Sequence, residues 1–479
     1  MTFHPCSTFI VLQVMFVFMR TSTSLVEQLS EGERSGVVPR QRRDTTEGGL
    51  GWSIAAAGTV TAIFLLSNSA TPLYARWQAE WGFDSGLLTV IFATYMVGLI
   101  AALVVAGRLA DRFGRKAVLV PGLGAAVIAA VLFLSAQNII WLLVARLLAG
   151  AAVGAAVTAG MAAVVDLAPD RHKRTGSLIA SVSMVFGAGL GPLLAGGLAA
   201  SDSSSPQTLV FSVVLFVEVG ALIVAIVLPM KRSSAPSAAR LLALPSAPRE
   251  NRRELRRGIG AFAPGITATS FVLSLGPTVL RFVGMPGVFV AGAVACAMFL
   301  VATGIQFALS RLTTRAHLTL SSIAAIAAMI FMVLAVTVFP VAALAIIAAL
   351  LAGAAQGLGQ LAGLSLIATH VPAEKRAESN AVFNIGGYIP AGILSVLVGY
   401  AADTFGLSLA VALFGAVLTV AAAVALVTTG TSAKHQAAES ITEGELPSSH
   451  PRSHHRSSRR SRPGPRHHDR ATPGSSWRR

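Results

Sequence analysis

Gly107-Arg-Leu-Ala-Asp-Arg-Phe-Gly-Arg-Lys116 packs five charges into a glycine-bounded stretch between two apolar runs, Leu87–Ala106 and Ala117–Ala136. Runs of about 20 apolar residues are long enough to cross a ~30 Å hydrocarbon core as helices. A short cationic turn between two of them suits the water-facing end of a membrane hairpin. Working outward, such runs recur along the whole chain. Twelve spans are expected, at about 52–74, 85–106, 117–136, 139–166, 177–199, 208–230, 259–280, 286–308, 318–339, 341–369, 379–401 and 406–428.

Composition agrees with this reading. The 479 residues are 54% hydrophobic and only 12% charged, whereas soluble domains carry about 25% charged residues. The net charge of +16 is a topology signal and needs no nucleic-acid partner. Arg108, Arg112, Arg115 and Lys116 follow span 2, and Arg171, Lys173 and Arg174 follow span 4. A run from Lys231 to Arg257 follows span 6, Arg311 and Arg315 follow span 8, and Lys375 and Arg376 follow span 10. The opposite loops carry little beyond Arg76 and Arg281. This positive-inside pattern places both termini in the cytoplasm.

The expected organisation is a flexible segment 1–50, a six-helix half 51–230, a basic linker 231–258, a second half 259–430 and a disordered basic tail 431–479. The tail's His and Arg residues suit a solvated surface or contact with metal or anionic lipid. The apolar Cys6–Met19 stretch is too short to span and lacks a basic flank or cleavage site; of a cleaved signal, an interfacial segment and residues upstream of the true start, the last two fit better. Cys6 and Cys296 form no disulfide framework.

The halves are related internally. Leu147-Leu-Ala-Gly-Ala-Ala152 recurs as Leu350-Leu-Ala-Gly-Ala-Ala355, an offset of 203. The same shift carries Gly154 to Gly357, Gly160 to Gly363, Pro169 to Pro372, and Arg108, Leu109 and Arg112 to Arg311, Leu312 and Arg315. Parallel repeats about an axis along the membrane normal place a substrate site between the halves near the midplane.

The layout Gly107-x-x-x-Asp111-Arg112-x-Gly114-Arg115-Lys116 resembles the loop between helices 2 and 3 of the major facilitator superfamily, and the resemblance covers roughly residues 51–430. It implies an all-α, twelve-helix polytopic membrane protein built as two six-helix repeats. Gly107 and Gly114 are expected to allow close helix approach and turning, and the bases hold the loop in the cytoplasm. The resemblance implies that Asp111 faces the N-terminus of helix 11, whose dipole favours a carboxylate by ~0.3–2 kcal/mol, and that Arg115 pairs with Asp166. Together these form a conformational latch; the alternative is that the charges only set topology, which leaves the two acids unexplained. The second-half copy, Ser310-Arg-Leu-Thr-Thr-Arg315, lacks the acid and both glycines.

Arg146 lies inside span 4, where a guanidinium costs at least ~2.5 kcal/mol unless it faces a polar interior. It resembles the family's helix-4 arginine, linked to proton coupling; the alternative is snorkelling to the surface. Gly187-Ala-Gly-Leu-Gly-Pro-Leu-Leu-Ala-Gly196 resembles the helix-5 pattern of the antiporter branch, with Gly187, Gly191, Pro192 and Gly196 in place and Ala195 replacing one glycine. These glycines are expected to pack on helix 8, or to serve generic small-residue packing. Glu218 is the one acid in the middle of any span, so it is either a proton carrier or a protonated, hydrogen-bonded support. Helix 1 lacks the acid that several multidrug antiporters use.

Polar residues suited to a central cavity are Asn68, Tyr74, Gln356, Gln360, Asn384 and Tyr388; each serves equally as an interhelical peg. So few charges suit an apolar or amphipathic substrate. The resulting expectation is a monomeric, proton-coupled exporter of small hydrophobic compounds in the cell membrane, working without a cofactor or bound metal. A sugar or metabolite transporter and a non-transporting sensor are the rivals. All ten histidines are expected in loops or tails, which argues against a membrane enzyme, and no Gly-x-x-x-x-Gly-Lys-Ser/Thr loop provides for nucleotide.

Overall fold

The computed structural model describes residues 49–201, 205–230, 248–372 and 375–444. The expected leader 1–50 except its last two residues, most of the linker, the Cys6–Met19 stretch and the tail beyond Gly444 lie outside the described residues, as does the side chain of Asp111. The chain divides into a compact unit ending at Thr431 and a second unit beginning at Ser432, whose described part continues a helix.

Twelve helices among the described residues are long and apolar enough to cross a membrane. They are α1 (Leu50–Trp81), α2 (Ser85–Phe113), α3 (Lys116–Leu134), α4 (Ile139–Leu167), α5 (Lys173–Ala199) and α6 (Pro206–Val227). The second set is α7 (Arg252–Phe282), α8 (Val288–Ala308), α9 (Thr314–Thr337), α10 (Ala342–His370), α11 (Arg376–Phe405) and α12 (Leu407–Gly444). No strand occurs among the described residues. In hydrocarbon a helix satisfies its own backbone polar groups, which is why the apolar runs take this form.

Local chemistry sets where several helices begin. Asp84 accepts a hydrogen bond from Leu87 N at 2.8 Å to cap α2, Asn138 accepts from Ile140 N at 3.0 Å to cap α4, and Thr313 accepts from Ala316 N at 3.2 Å to cap α9. Such caps satisfy backbone donors that have no partner inside the helix. α2 and α11 stop on Gly114 and Gly406, both at positive φ (90° and 81°), a conformation that glycine adopts without steric cost.

Hydropathy locates spans but misses irregularities inside and beyond them. α1 is broken: helix runs to Ser69, a 3-10 turn covers Thr71–Leu73, and helix resumes at Tyr74–Trp81. Pro72 supplies the reason, since it has no N–H to continue the ladder. α4 contains a π-turn at Ala156–Gly160. α7 begins at Arg252 and α12 continues to Gly444, both well past the apolar runs, because helix propensity does not stop where hydropathy does. His317, expected in a loop, lies buried in the first turn of α9 with its Nε2 2.8 Å from the Leu309 carbonyl.

Packing follows the internal repeat. In one set α2 packs on α4 and α1 on α5; in the other α8 packs on α10 and α7 on α11. A Cβ on Gly150 of α4 would run into the Tyr95 carbonyl of α2, and one on Gly353 of α10 into the Met298 carbonyl of α8. Gly154 meets the Leu99 carbonyl in the same way, and Gly357 the Ala302 carbonyl. Every residue in the second pair of contacts lies 203 after its counterpart in the first. The sequence repeat is therefore a repeat of backbone contacts. Two seams join the sets, α5 against α8 and α2 against α11.

These contacts predict a graded response to alanine. Gly150→Ala and Gly353→Ala each force backbone apart and should cost ~1–3 kcal/mol in thermal unfolding of the detergent-solubilised protein. Gly124→Ala, where a Cβ meets nothing within 4 Å, should be neutral or stabilising. Equal effects at all three positions would contradict the packing.

Candidate functional site: an aromatic-caged arginine at the break of helix α1

The break in α1 organises the centre of the first six helices. Ser67 lies in the last turn before the break, where helix carbonyls lose their partners and carry partial negative charge. Arg146 of α4 donates from Nη1 to the Ser67 carbonyl at 2.5 Å. Its guanidinium lies over three rings, Tyr74 at 4.9 Å, Phe92 at 5.7 Å and Phe133 at 5.9 Å. Arg146 is 1% exposed, so it does not snorkel.

Magnitudes explain how the cation tolerates this depth. The cost is at least ~2.5 kcal/mol. A desolvated cation–π contact is worth ~2 kcal/mol, and a hydrogen bond from a charged donor ~1.5–3 kcal/mol. The ring cage and the helix end together offset the penalty. Nε and Nη2 of Arg146 and the hydroxyls of Tyr74 and Thr71 have no hydrogen-bond partner among the described residues. The break is thus ringed by donors with spare capacity.

Ala349, the repeat counterpart of Arg146, replaces the large cation with a methyl group. A small, chiefly apolar cavity opens there, lined among others by Thr71, Val294, Met332 and Ala349. The two sets share a frame, and one position has been charged in one set and emptied in the other.

The remaining cavity candidates divide. Asn68 donates within its own helix, to the Phe64 carbonyl at 3.1 Å and Ser67 Oγ at 2.8 Å. Tyr74 is fully buried in the Arg146 cage, so it faces no open cavity in this conformation. Gln356 has a buried Oε1 without a partner among the described residues, and Gln360 is half-buried one turn on. Asn384 donates to the Asn380 carbonyl at 2.9 Å and is nearly buried. Tyr388 packs edge-on against Phe262 at 6.4 Å. Tyr95 of α2, which the polar pattern of the sequence does not mark, stands in electrostatic reach of both Arg146 and Tyr388, on opposite sides of the interface between the sets. The chain has only four tyrosines, and their scarcity within apolar spans was the available signal.

Glu218 of α6 is fully buried and neither carboxylate oxygen has a hydrogen-bond partner among the described residues.

The helix-5 glycines serve two neighbours, not α8 alone. Gly187 and Gly191 face the Thr61 and Leu65 carbonyls of α1, whereas Gly196 abuts Val288 and Phe289 of α8. The Pro192 carbonyl faces Gly292 of α8. α5 therefore holds α1 within its own set while forming the seam with the other.

At the charged loop, Arg115 Nε lies 3.4 Å from Asp166 Oδ2. Arg108 Nη2 lies 3.6 Å from Glu378 on the first turn of α11. Lys116 donates to the Ile226 and Leu228 carbonyls at the end of α6, and exposed Arg112 lies over the Phe113 ring at 5.3 Å. Gly114 turns the chain. Gly107 does not mediate close approach, because a Cβ there would meet nothing within 4 Å.

No group of three or more His, Cys, Asp or Glu residues able to hold a metal occurs among the described residues. Comparison with known proteins fits this geometry. A stretch of 116 residues is 31% identical to "Multidrug resistance protein MdtL" of Escherichia coli O139:H28 (strain E24377A / ETEC), covering 23% of this chain and 30% of that protein. The chain thus matches less than a third of that relative's length. Among solved structures, a mutant of the nucleoside transporter NupG superposes with a TM-score of 0.61 at 13% identity, over 78% of this chain and 99% of the other. A bacterial homolog to the human lysosomal transporter Spinster, inward-facing and unoccupied, gives 0.58 at 16%, over 81% and 96%. A POT family transporter in complex with a thioalcohol-conjugated peptide gives 0.65 at 12%, over 80% and 96%. At such identities these likenesses show the fold alone. The family profile described as Major Facilitator Superfamily matches residues 54–393. With this match over most of its length and twelve membrane-spanning helices among the described residues, the chain belongs to the Major Facilitator Superfamily of multi-pass membrane transporters.

Proposed function

We propose that this transporter exports small hydrophobic or amphipathic compounds against protons, by alternating access between its two six-helix halves. The observation that carries the reading is the chemistry of the midplane. Three aromatic rings cage one guanidinium in the first half, the polar groups on α10 and α11 of the second half are amides and a tyrosine, and the one mid-span acid, Glu218, has no hydrogen-bond partner among the described residues. Opened by alternating access, residues of this kind have little to offer a polyanion and much to offer a flat apolar molecule with one polar group. The partial identity to a multidrug resistance protein supports the same substrate class.

In this reading the basic loops face the cytoplasm, with both termini on that side of the cell membrane. The chain acts as a monomer with lipid, substrate and protons as its partners. Arg146 holds the α1 break, and protonation of Glu218 changes how α6 packs on α1 and α3. Gly107, Asp111, Arg112, Gly114, Arg115 and Asp166 form the cytoplasmic latch, and breaking ~1.4 kcal/mol of it shifts the two access states tenfold.

A compound-accumulation screen tests the class. Cells expressing the chain should accumulate less of a hydrophobic dye than control cells, and a protonophore should abolish the difference. Accumulation of a sugar or other metabolite, insensitive to the protonophore, would establish the rival metabolite transporter. Removing residues 431–479 should leave export intact; its loss would favour a tail-dependent sensor.

Two substitutions test the coupling. Glu218→Gln should flatten the pH dependence of export while binding persists, and an unchanged profile would remove Glu218 from the proton path. Arg146→Ala should reduce uphill export at least tenfold, and Arg146→Lys should rescue it only in part, because an ammonium does not replace the planar guanidinium over three rings. Full activity in Arg146→Ala would leave the residue no role beyond packing.

A further inference from the structure

The charged loop's signature occurs a second time, outside the 203-residue repeat. Gly107-Arg-Leu-Ala-Asp-Arg-Phe-Gly114 closes α2, and Gly399-Tyr-Ala-Ala-Asp-Thr-Phe-Gly406 closes α11. Both read Gly-x-x-Ala-Asp-x-Phe-Gly. Both also end alike in space: Gly114 has φ 90° and ψ 160°, and Gly406 has φ 81° and ψ 155°. The two helix ends lie on opposite faces of the membrane.

α2 and α11 run antiparallel across the seam between the halves. Gly86 packs under the Tyr400 ring, Gly399 meets Thr89 and the Ser85 carbonyl, Gly392 meets Met96, and Arg108 reaches Glu378. Partners step back along α11 as they step forward along α2. At the face opposite the basic loops, Asp403 crosses this seam. Its Oδ1 accepts from Ser85 N at 2.9 Å and its Oδ2 from Gly86 N at 2.6 Å. The first turn of α2 is thereby capped twice, by Asp84 from its own half and by Asp403 from the other. The antiparallel register that pairs Asp403 with Ser85 carries position 111 to position 377, in the first turn of α11.

Approach along the seam is uneven. Near Asp403 the helices touch through glycines, whereas at the basic end the contact spans the length of Arg108 and Glu378 side chains. A carboxylate on a helix N-terminus interacts favourably with both the free N–H groups and the helix dipole. Here the acid and the helix belong to different halves, so separating the halves on that face requires giving up both bonds.

We propose that Asp403 is a gating residue of the transport cycle, an outer latch that holds the halves together on the face opposite the basic loops. It repeats at that face the arrangement of an acid ending one helix and opposing the start of the other. Opening to that face then requires Asp403 to leave α2. The proposal rests on alternating access, though not on the identity of the substrate or on proton coupling.

Distance measurement between spin labels tests it without substrate or gradient. Labels at Gln137 and Phe339 report separation of the halves on the Asp403 face, and labels at Arg171 and Leu312 report the basic face. The background carries Cys6→Ser and Cys296→Ala. Asp403→Asn should raise the population with long Gln137–Phe339 distances about fivefold, with matching shortening of the Arg171–Leu312 distance. Asp403→Glu should restore at least half of the closed population, and Asp403→Ser should behave as Asn. Asp84→Ala removes the cap from the same helix without touching the seam and should leave both distributions unchanged. Unaltered distances in Asp403→Asn would overturn the latch. So would equal shifts in Asp84→Ala, which would reduce Asp403 to an ordinary cap. Melting curves matching the parent confirm that the variants are folded, and transport assays on the same variants report separately on the proposed substrate and coupling.

Discussion

Helices in a bilayer gain little by pressing apolar side chains together, because lipid is as apolar as leucine. Cohesion must come from backbone brought close to backbone. In this protein the glycines of α4, α5 and α10 supply it. Gly150 and Gly353 lie on the carbonyls of Tyr95 and Met298, and Gly191 lies on that of Leu65. The fold depends on these contacts, and they rigidify each half as a unit. The α2–α11 and α5–α8 seams are where the two halves meet.

Rigidity also makes room for a charge. Arg146 of α4 is held against α1, α2 and α3 by rings and by a carbonyl at the end of a helix segment, with no carboxylate ion-paired to it among the described residues. The break at Pro72 creates the carbonyl that Arg146 occupies, and Arg146 stabilises the break. Its counterpart Ala349 leaves a cavity instead. A symmetric scaffold thus carries an asymmetric centre.

Much of this architecture is legible in the sequence. Hydropathy located twelve spans, because length and apolar composition are what a bilayer requires. The offset of 203 was readable because glycines that touch backbone cannot drift without cost, and it returned as paired contacts. Proximity of Arg115 and Asp166 came from resemblance to a family. What escaped the sequence depends on partners distant in the chain. Tyr95 becomes central only once α2 lies between Arg146 and Tyr388. Pro72 falls inside the first apolar run and breaks the helix there, which a hydropathy average does not register. Gly107 was expected to pack closely and packs on nothing within 4 Å. Asp403 carried a visible signature, the second Gly-x-x-Ala-Asp-x-Phe-Gly, but its offset differs from the repeat. Its meaning comes from the antiparallel α2–α11 pair.

Coupling between the movement of a hydrophobic compound and the opposite movement of protons is the central claim. Purified protein in liposomes enclosing a pH-sensitive dye tests it most directly. With an acidic interior, adding a transported compound outside should drive its uptake above equilibrium while the interior alkalinises. Compound that merely equilibrates, with no change in internal pH, would contradict the claim.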